Sequence, residues 1–299
     1  MNLGDHREAI FRSRHDRELF LQTPGQACEK TDWQVHAWCR MSNHFHLVVE
    51  TPRANLVSGM KWLLGTYTQR FNGRHQLRGH LFAGRYKALP VEGSGTGYLK
   101  SACDYVHLNP ARARLLAKRQ KLWEFRWSSY PEYLKAPAGR RPWLRVDRLL
   151  GEHGIAQDSP AGREQFERRM ELRRAAEDGE EFKPLRRGWC VGGEAFRKEL
   201  LGQMQAGPEH YGPEIRESGE AKARRLIQAE LKGRGWRERE LESRPKGDPE
   251  KVRIALRLRR ETTMTLAWIA HALRMGTKTY LSHLLYWQGK EKKQKRCAI

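Results

Sequence analysis

Hydrophobic and polar positions change period several times along this chain, and each change marks an element. From Asp16 to Lys30 the spacing of Leu19, Phe20, Leu21, Ala27 and Cys28 predicts a helix. Trp33 to Met41 is rich in β-branched and aromatic residues and predicts a strand. Ser42-Asn43 is turn chemistry, and His44 to Thr51 (HFHLVVET) is the clearest strand in the sequence, so the pair predicts a β-hairpin. Between Asn55 and Phe71 the residues Leu56, Met60, Leu63, Leu64, Tyr67 and Phe71 fall on one helical stripe. Arg85 to Val91 predicts a further short strand. A helix follows from Gly97 to Asn109, with Pro110 expected to stop it.

The order helix–strand–strand–helix–strand–helix is an α+β arrangement. It matches a ferredoxin-like plan with an antiparallel sheet whose first strand is missing. This domain is placed at residues 1–135. A charged connector and helical region is expected over 136–248, hydrophobically thin and therefore built of exposed helices and loops. Periodicity returns in 249–289, with helix-sized pieces at Pro249–Thr262, Leu266–Leu273 and Lys278–Trp287. The last two are joined by Arg274-Met275-Gly276-Thr277, which gives the region the look of a helix-turn-helix, although an ordinary helical hairpin has the same pattern. Residues 290–299 read as a disordered basic tail.

Composition narrows the class of partner. The 57 Lys and Arg outnumber the 35 Asp and Glu, for a net charge of +22, so polyanions are the natural ligands. No apolar run approaches the roughly 18 to 20 residues of a membrane-spanning helix, and the first residues lack the apolar core of a signal peptide. A soluble protein without a membrane partner is expected. The five cysteines form no CxxC pair, which argues against a disulfide framework and against a zinc module.

Two short patterns carry chemistry. In NHFHLVVE the strand alternation puts His44 and His46 on one face, about 7 Å apart along the strand, with Phe45, Leu47 and Val49 on the other. Two imidazoles so aimed suit one metal ion, but they equally suit the solvated side of an amphipathic strand. In YLKSACDYVHLNP, Tyr105 and Asn109 stack on one helical face. Asn109 offers a carbonyl oxygen and Tyr105 a phenol able to act as a nucleophile. Together the four residues make a nitrogen-nitrogen-oxygen donor set beside an attacking group, suited to Mg²⁺ or, given the imidazoles, Mn²⁺. On residue type alone Tyr67, Tyr86 and Tyr98 are rival nucleophiles, although Tyr67 lies on an apolar stripe and belongs to the core. His107 is on the wrong helical face and reads as structural or phosphate-facing. Arg85 and Lys87 flank Tyr86, a pattern suited to DNA backbone contact and base stacking. Arg112 and Arg114 lie just past the Tyr105 helix, where they suit a grip on a DNA hairpin but also an ordinary charged helical surface.

In order, NHFHLVVETP, a helix ending TYTQRFN, GHLFAGRYKALPV and YVHLNPARARLL closely resemble the REP-associated tyrosine transposases, members of the single-tyrosine HUH transposases. The resemblance spans roughly residues 4–135. It implies that His44 and His46 bind a divalent ion, that Asn109 completes the ligand set, and that Tyr105 is the catalytic nucleophile. It further implies a metal-dependent single-stranded DNA endonuclease and strand transferase. Such an enzyme works through a 5′-phosphotyrosine, on hairpin or repetitive DNA, in the bacterial cytoplasm at the nucleoid, as a monomer or homodimer. Duplex DNA is an expected partner of the C-terminal helices. Relatives begin with a central strand that this chain would lack, so the slot beside the histidine strand is expected to be empty or filled by Met1–Leu3 as a stub. The alternative function is a non-enzymatic DNA-binding protein or an inactive relic acting as a hairpin binder or regulator.

Overall fold

The computed structural model describes residues 1–93, 97–176, 180–205 and 213–297. The chain divides into two compact units, the first comprising Met1–Cys28, Trp33–Pro52 and Leu63–Pro208, the second Glu29–Asp32, Arg53–Trp62 and Glu209–Ile299.

The first unit is built on the predicted hairpin. Strands β2 (Gln34–Arg40) and β3 (His44–Glu50) pair antiparallel, with a register shift between Val35 and Ala37. The Ser42-Asn43 turn is closed by the Met41 N–H on the His44 carbonyl at 2.9 Å. The third strand is β1 (Asn2–Leu3), which pairs antiparallel with β3 and gives the sheet order β1-β3-β2. The slot beside the histidine strand is thus occupied by Asn2–Leu3. The expected strand at 85–91 does not form. Backbone from Leu81 to Lys87 instead bonds to residues 1–5, through Ala83 N–H to Leu3 and Lys87 N–H to Met1, without a continuous ladder. Its alternation is real, but a strand needs a partner in register, and a two-residue stub offers too short a template. The other edge of the sheet is covered where Arg40 donates to Trp127 and Ser129 to Trp38. This leaves few free ladder groups on β2.

One face of the sheet carries α1 (Arg14–Thr31) and α2 (Leu56–His75). The N-terminus of α1 is a reciprocal cap: the Asp16 N–H donates to Ser13 Oγ at 3.1 Å, while the Asp16 carboxylate accepts from Ser13 N–H at 2.9 Å. Phe20 of α1 meets Phe45 of β3 at 4.8 Å between ring centroids and Tyr67 of α2 at 5.0 Å. Tyr67 is fully buried and its hydroxyl donates to the Ile10 carbonyl at 2.6 Å, as its place on the apolar stripe predicted.

The opposite face carries α3 (Tyr98–Arg112), which packs on β2 and β3. It begins after Gly97, whose φ of 85° suits glycine, and it runs through Pro110 instead of stopping there. The proline sits among buried residues, and the burial of Val106 through Pro110 outweighs one lost backbone bond. Around α3 lie α4 (Tyr130–Tyr133), α5 (Asp147–Glu152) and α6 (Pro160–Ala176), then α7 (Lys183–Arg187) and α8 (Glu194–Gln205). The stretch read as hydrophobically thin contributes fully buried Phe166 and Phe182 to this side.

The second unit contains α9 (Pro213–Gly233), α10 (Glu240–Ser243), α11 (Pro249–Glu261), α12 (Leu266–Ala272) and α13 (Lys278–Cys297). The last three match the predicted pieces. Their starts are capped by Asp248, whose carboxylate accepts from Glu250 and Lys251, and by Thr265, which accepts from Trp268. Val252, Ala255, Leu258, Ile269, Leu273, Leu281 and Leu285 share one core. The turn between α12 and α13 uses Arg274 at φ 53° and Gly276 at φ 83°. Helix α13 extends through Cys297, so the backbone of most of the tail expected to be disordered is helical, while residues 298 and 299 lie outside the described residues.

Candidate active site

Strand alternation sends Phe45 into the α1–α2 core and His44 and His46 to the α3 side. The two imidazole centroids are 5.0 Å apart and the rings nearly perpendicular. Asn43 Oδ1 contacts His44 Nδ1 at 2.8 Å and orients that ring. His46 is 8% exposed and His44 half-buried. Burial pushes the His44 imidazole below its ordinary range, with the nearby Met1 amine adding to the effect. His46 is pushed well below it by burial first, then by His44, the Met1 amine and the Arg112 guanidinium. Neutral imidazoles with a free lone pair are the form that binds metal.

From the facing helix, Tyr105 approaches His46 edge-on, with centroids 5.6 Å apart. Asn109 lies one turn further along the same face and is 8% exposed. Among the described residues no three His, Cys, Asp or Glu side chains converge on a metal position. A third protein donor at the histidine pair would therefore have to be of another kind, and the Asn109 amide is of that kind. The chemistry of the donors fits a divalent ion that tolerates oxygen.

Of the rival tyrosines, Tyr67 lies in the α1–α2 core on the opposite face of the sheet. Burial, reinforced by Asp16, pushes the Tyr67 phenol up and away from the ionised form a nucleophile needs. Tyr86 and Tyr98 are half-buried. His107 is buried, its Nε2 at 2.9 Å from Ser129 Oγ, with Tyr133 and Phe166 around its ring. Burial pushes its imidazole down to about 3, so its role is structural.

The cationic residues separate. Arg85 and Arg114 are exposed, and Arg114 has φ 55°. The Lys87 ammonium donates to the Arg186 carbonyl at 3.1 Å, and Arg85, Tyr86 and Lys87 do not alternate on a strand. Arg112 instead turns back on α3 itself. Its guanidinium carbon is 3.8 Å from the Tyr105 ring centroid, and Nη2 donates to the Tyr105 carbonyl at 2.7 Å.

Sequence reasoning missed three residues here. Phe182 packs edge-on against Tyr105 at 5.6 Å and lies 4.9 Å from the Arg112 guanidinium. Arg173 of α6 stands 5.8 Å from the Phe182 ring and pairs with fully buried Asp104 at 2.8 Å, and Asp104 also bonds to His153 at 3.0 Å. A lone Phe in GEEFKPLRR carries no periodic signal. The Arg112 signal was present, since 105, 109 and 112 recur at helical spacing.

No curated protein and no solved structure matches the chain. Residues 1–109, which hold both histidines, Tyr105 and Asn109, match the profile of the family described as IS200-like transposases, over more than a third of the chain.

Proposed function

We propose that this chain is a single-stranded DNA endonuclease and strand transferase of the HUH type, with Tyr105 as its nucleophile. The observation that carries the reading is the ring contact between Tyr105 and His46, which brings together the two short patterns that carry chemistry. His44, His46 and Asn109 would hold Mg²⁺ or Mn²⁺, and such an ion when bound supplies Lewis-acid polarisation of a phosphate. The phenol of Tyr105 loses its proton and its oxygen attacks phosphorus. The bond between the Tyr105 oxygen and phosphorus forms, the bond to the 3′ oxygen breaks, and solvent water, which takes the phenol proton, returns one to that oxygen so that it leaves as a 3′-hydroxyl. The linkage is conserved in energy, so a second 3′-hydroxyl can reverse the step on another strand without ATP. The half-buried site admits an unpaired backbone, which favours single-stranded or hairpin-flanking DNA over duplex. Arg85 and Arg114, both exposed, and Lys87 serve as backbone contacts.

In the second unit the capped α11–α12–α13 arrangement presents Lys278, Thr279 and Tyr280 at the start of the last helix, all exposed. This supports a contact with duplex DNA, the second reading kept here. The test is a labelled single-stranded hairpin incubated with the full-length protein in Mn²⁺ or in EDTA. A metal-dependent covalent adduct on a denaturing gel, absent from Tyr105→Phe, is expected. Tight binding without any adduct would leave a hairpin binder or regulator instead.

A further inference from the structure

Beyond the histidines, Tyr105 and Asn109, a third position of α3 lies on the same helical face. Residues 105, 109 and 112 recur at the spacing that stacks side chains along one face of α3. Arg112 uses that position to lay its guanidinium over the Tyr105 ring at 3.8 Å, with the Phe182 ring alongside at 4.9 Å. The two rings touch edge-on at 5.6 Å, and the guanidinium lies against both at the corner they form. Phe182 is 0% exposed, and its own position is braced by Arg173, which is tied to α3 through Asp104. A cation so placed costs conformational entropy and partial desolvation; Nη2 is held by the Tyr105 carbonyl at 2.7 Å, which fixes the charge beside the phenol where a phosphodiester oxygen would sit. Arg112 and Phe182 both lie beyond residues 1–109, which match the transposase profile.

Resting on the reading of Tyr105 as nucleophile, we infer that Arg112 is the phosphate-binding residue of the cleavage site and that Phe182 holds its guanidinium over the Tyr105 ring. Arg112 then has a role distinct from the exposed arginines: it contacts the phosphate under attack instead of the backbone at large. Negative charge builds on the phosphoryl oxygens as the Tyr105 oxygen bonds to phosphorus, and a fixed cation beside them stabilises that state more than the bound substrate.

The experiment uses full-length protein, a labelled single-stranded hairpin with Mn²⁺ for adduct formation, and an oligothymidylate for binding. Arg112→Met, which keeps the apolar stem, should slow adduct formation about 100-fold while oligothymidylate affinity changes less than about threefold. Arg112→Lys should recover about tenfold of that loss, because it restores charge without the fork. Phe182→Leu should slow the reaction to a smaller degree at unchanged affinity. Wild-type rates in Arg112→Met, parallel loss of binding and rate, or no recovery by Arg112→Lys would each overturn the assignment while leaving Tyr105 in place. If the wild-type protein forms no adduct, the nucleophile reading fails by itself. Arg112 is then judged by arginine-specific phenylglyoxal labelling read by peptide mass spectrometry. Protection of Arg112 by the hairpin in wild type and Tyr105→Phe alike supports a phosphate contact, and equal labelling with and without DNA overturns it.

Discussion

Two substitutions that each delete one phenolic oxygen should have opposite consequences in this protein. Tyr67 and Tyr105 are both on helices that pack against the β2–β3 hairpin, but from opposite faces. The Tyr67 hydroxyl is fully buried and donates to the carbonyl of Ile10, itself 0% exposed, at 2.6 Å. Tyr67→Phe removes a hydrogen bond worth about 1 kcal/mol net and leaves a buried acceptor short of a partner, for a total loss of about 1–3 kcal/mol. In a unit of this size that is a fall in melting temperature of roughly 2–4 °C per kcal/mol. Tyr105 is half-buried and keeps its ring contacts with His46 and Phe182 as phenylalanine, so Tyr105→Phe should change stability by less than about 0.5 kcal/mol. Chemical denaturation followed by tryptophan fluorescence gives the stabilities, and the denaturing gel gives the adduct. The reasoning is refuted if Tyr67→Phe abolishes the adduct in folded protein, or if Tyr105→Phe still forms it.

Replacing His46 with Ala should weaken Mn²⁺ binding on the order of 100-fold in titration calorimetry, with the fold retained by circular dichroism. An unchanged affinity would remove the histidine pair from the metal assignment. The buried Asp16 carboxylate should shape the acid limb of stability. Burial alone would raise its pKa, but hydrogen bonds from His75, Ser13 and Arg12 outweigh that and hold it below the usual carboxylate range. A depressed folded pKa contributes stability that is present above the unfolded value of about 4 and lost as pH falls through the folded one. Asp16→Asn should therefore be less stable at neutral pH by about 1–3 kcal/mol, with the gap closing below about pH 4. A gap constant with pH would contradict the hydrogen-bond account. Lys278→Ala should lower duplex DNA affinity and reduce its salt dependence by about one ion without altering the adduct yield. Equal salt slopes would take α13 out of DNA contact.

Much of the fold is legible from periodicity. The β2–β3 hairpin, the Leu63–Tyr67–Phe71 stripe of α2 and the three C-terminal helices lie within a few residues of where their patterns predict them, except that α13 continues through the basic tail. Alternation likewise puts Phe45 and the histidines on opposite faces, because a strand's side-chain period is set by backbone geometry alone. What lies against each face is a different matter. The sequence could not show that Arg85–Val91 would find only a two-residue stub to pair with, since a ladder is a property of two segments. Nor could it show that α3 would pass through Pro110, because the lost backbone bond is local while the compensating burial comes from distant chain. The same holds at the site. Tyr105, Asn109 and the histidine pair were visible as two separate patterns, but their meeting depends on α3 crossing β3. Phe182 reached Tyr105, and Arg173 reached Phe182 and Asp104, only through the packing of α6 and the segment after it. Periodicity states which side of an element leaves water; only the assembled chain decides which partner it meets there.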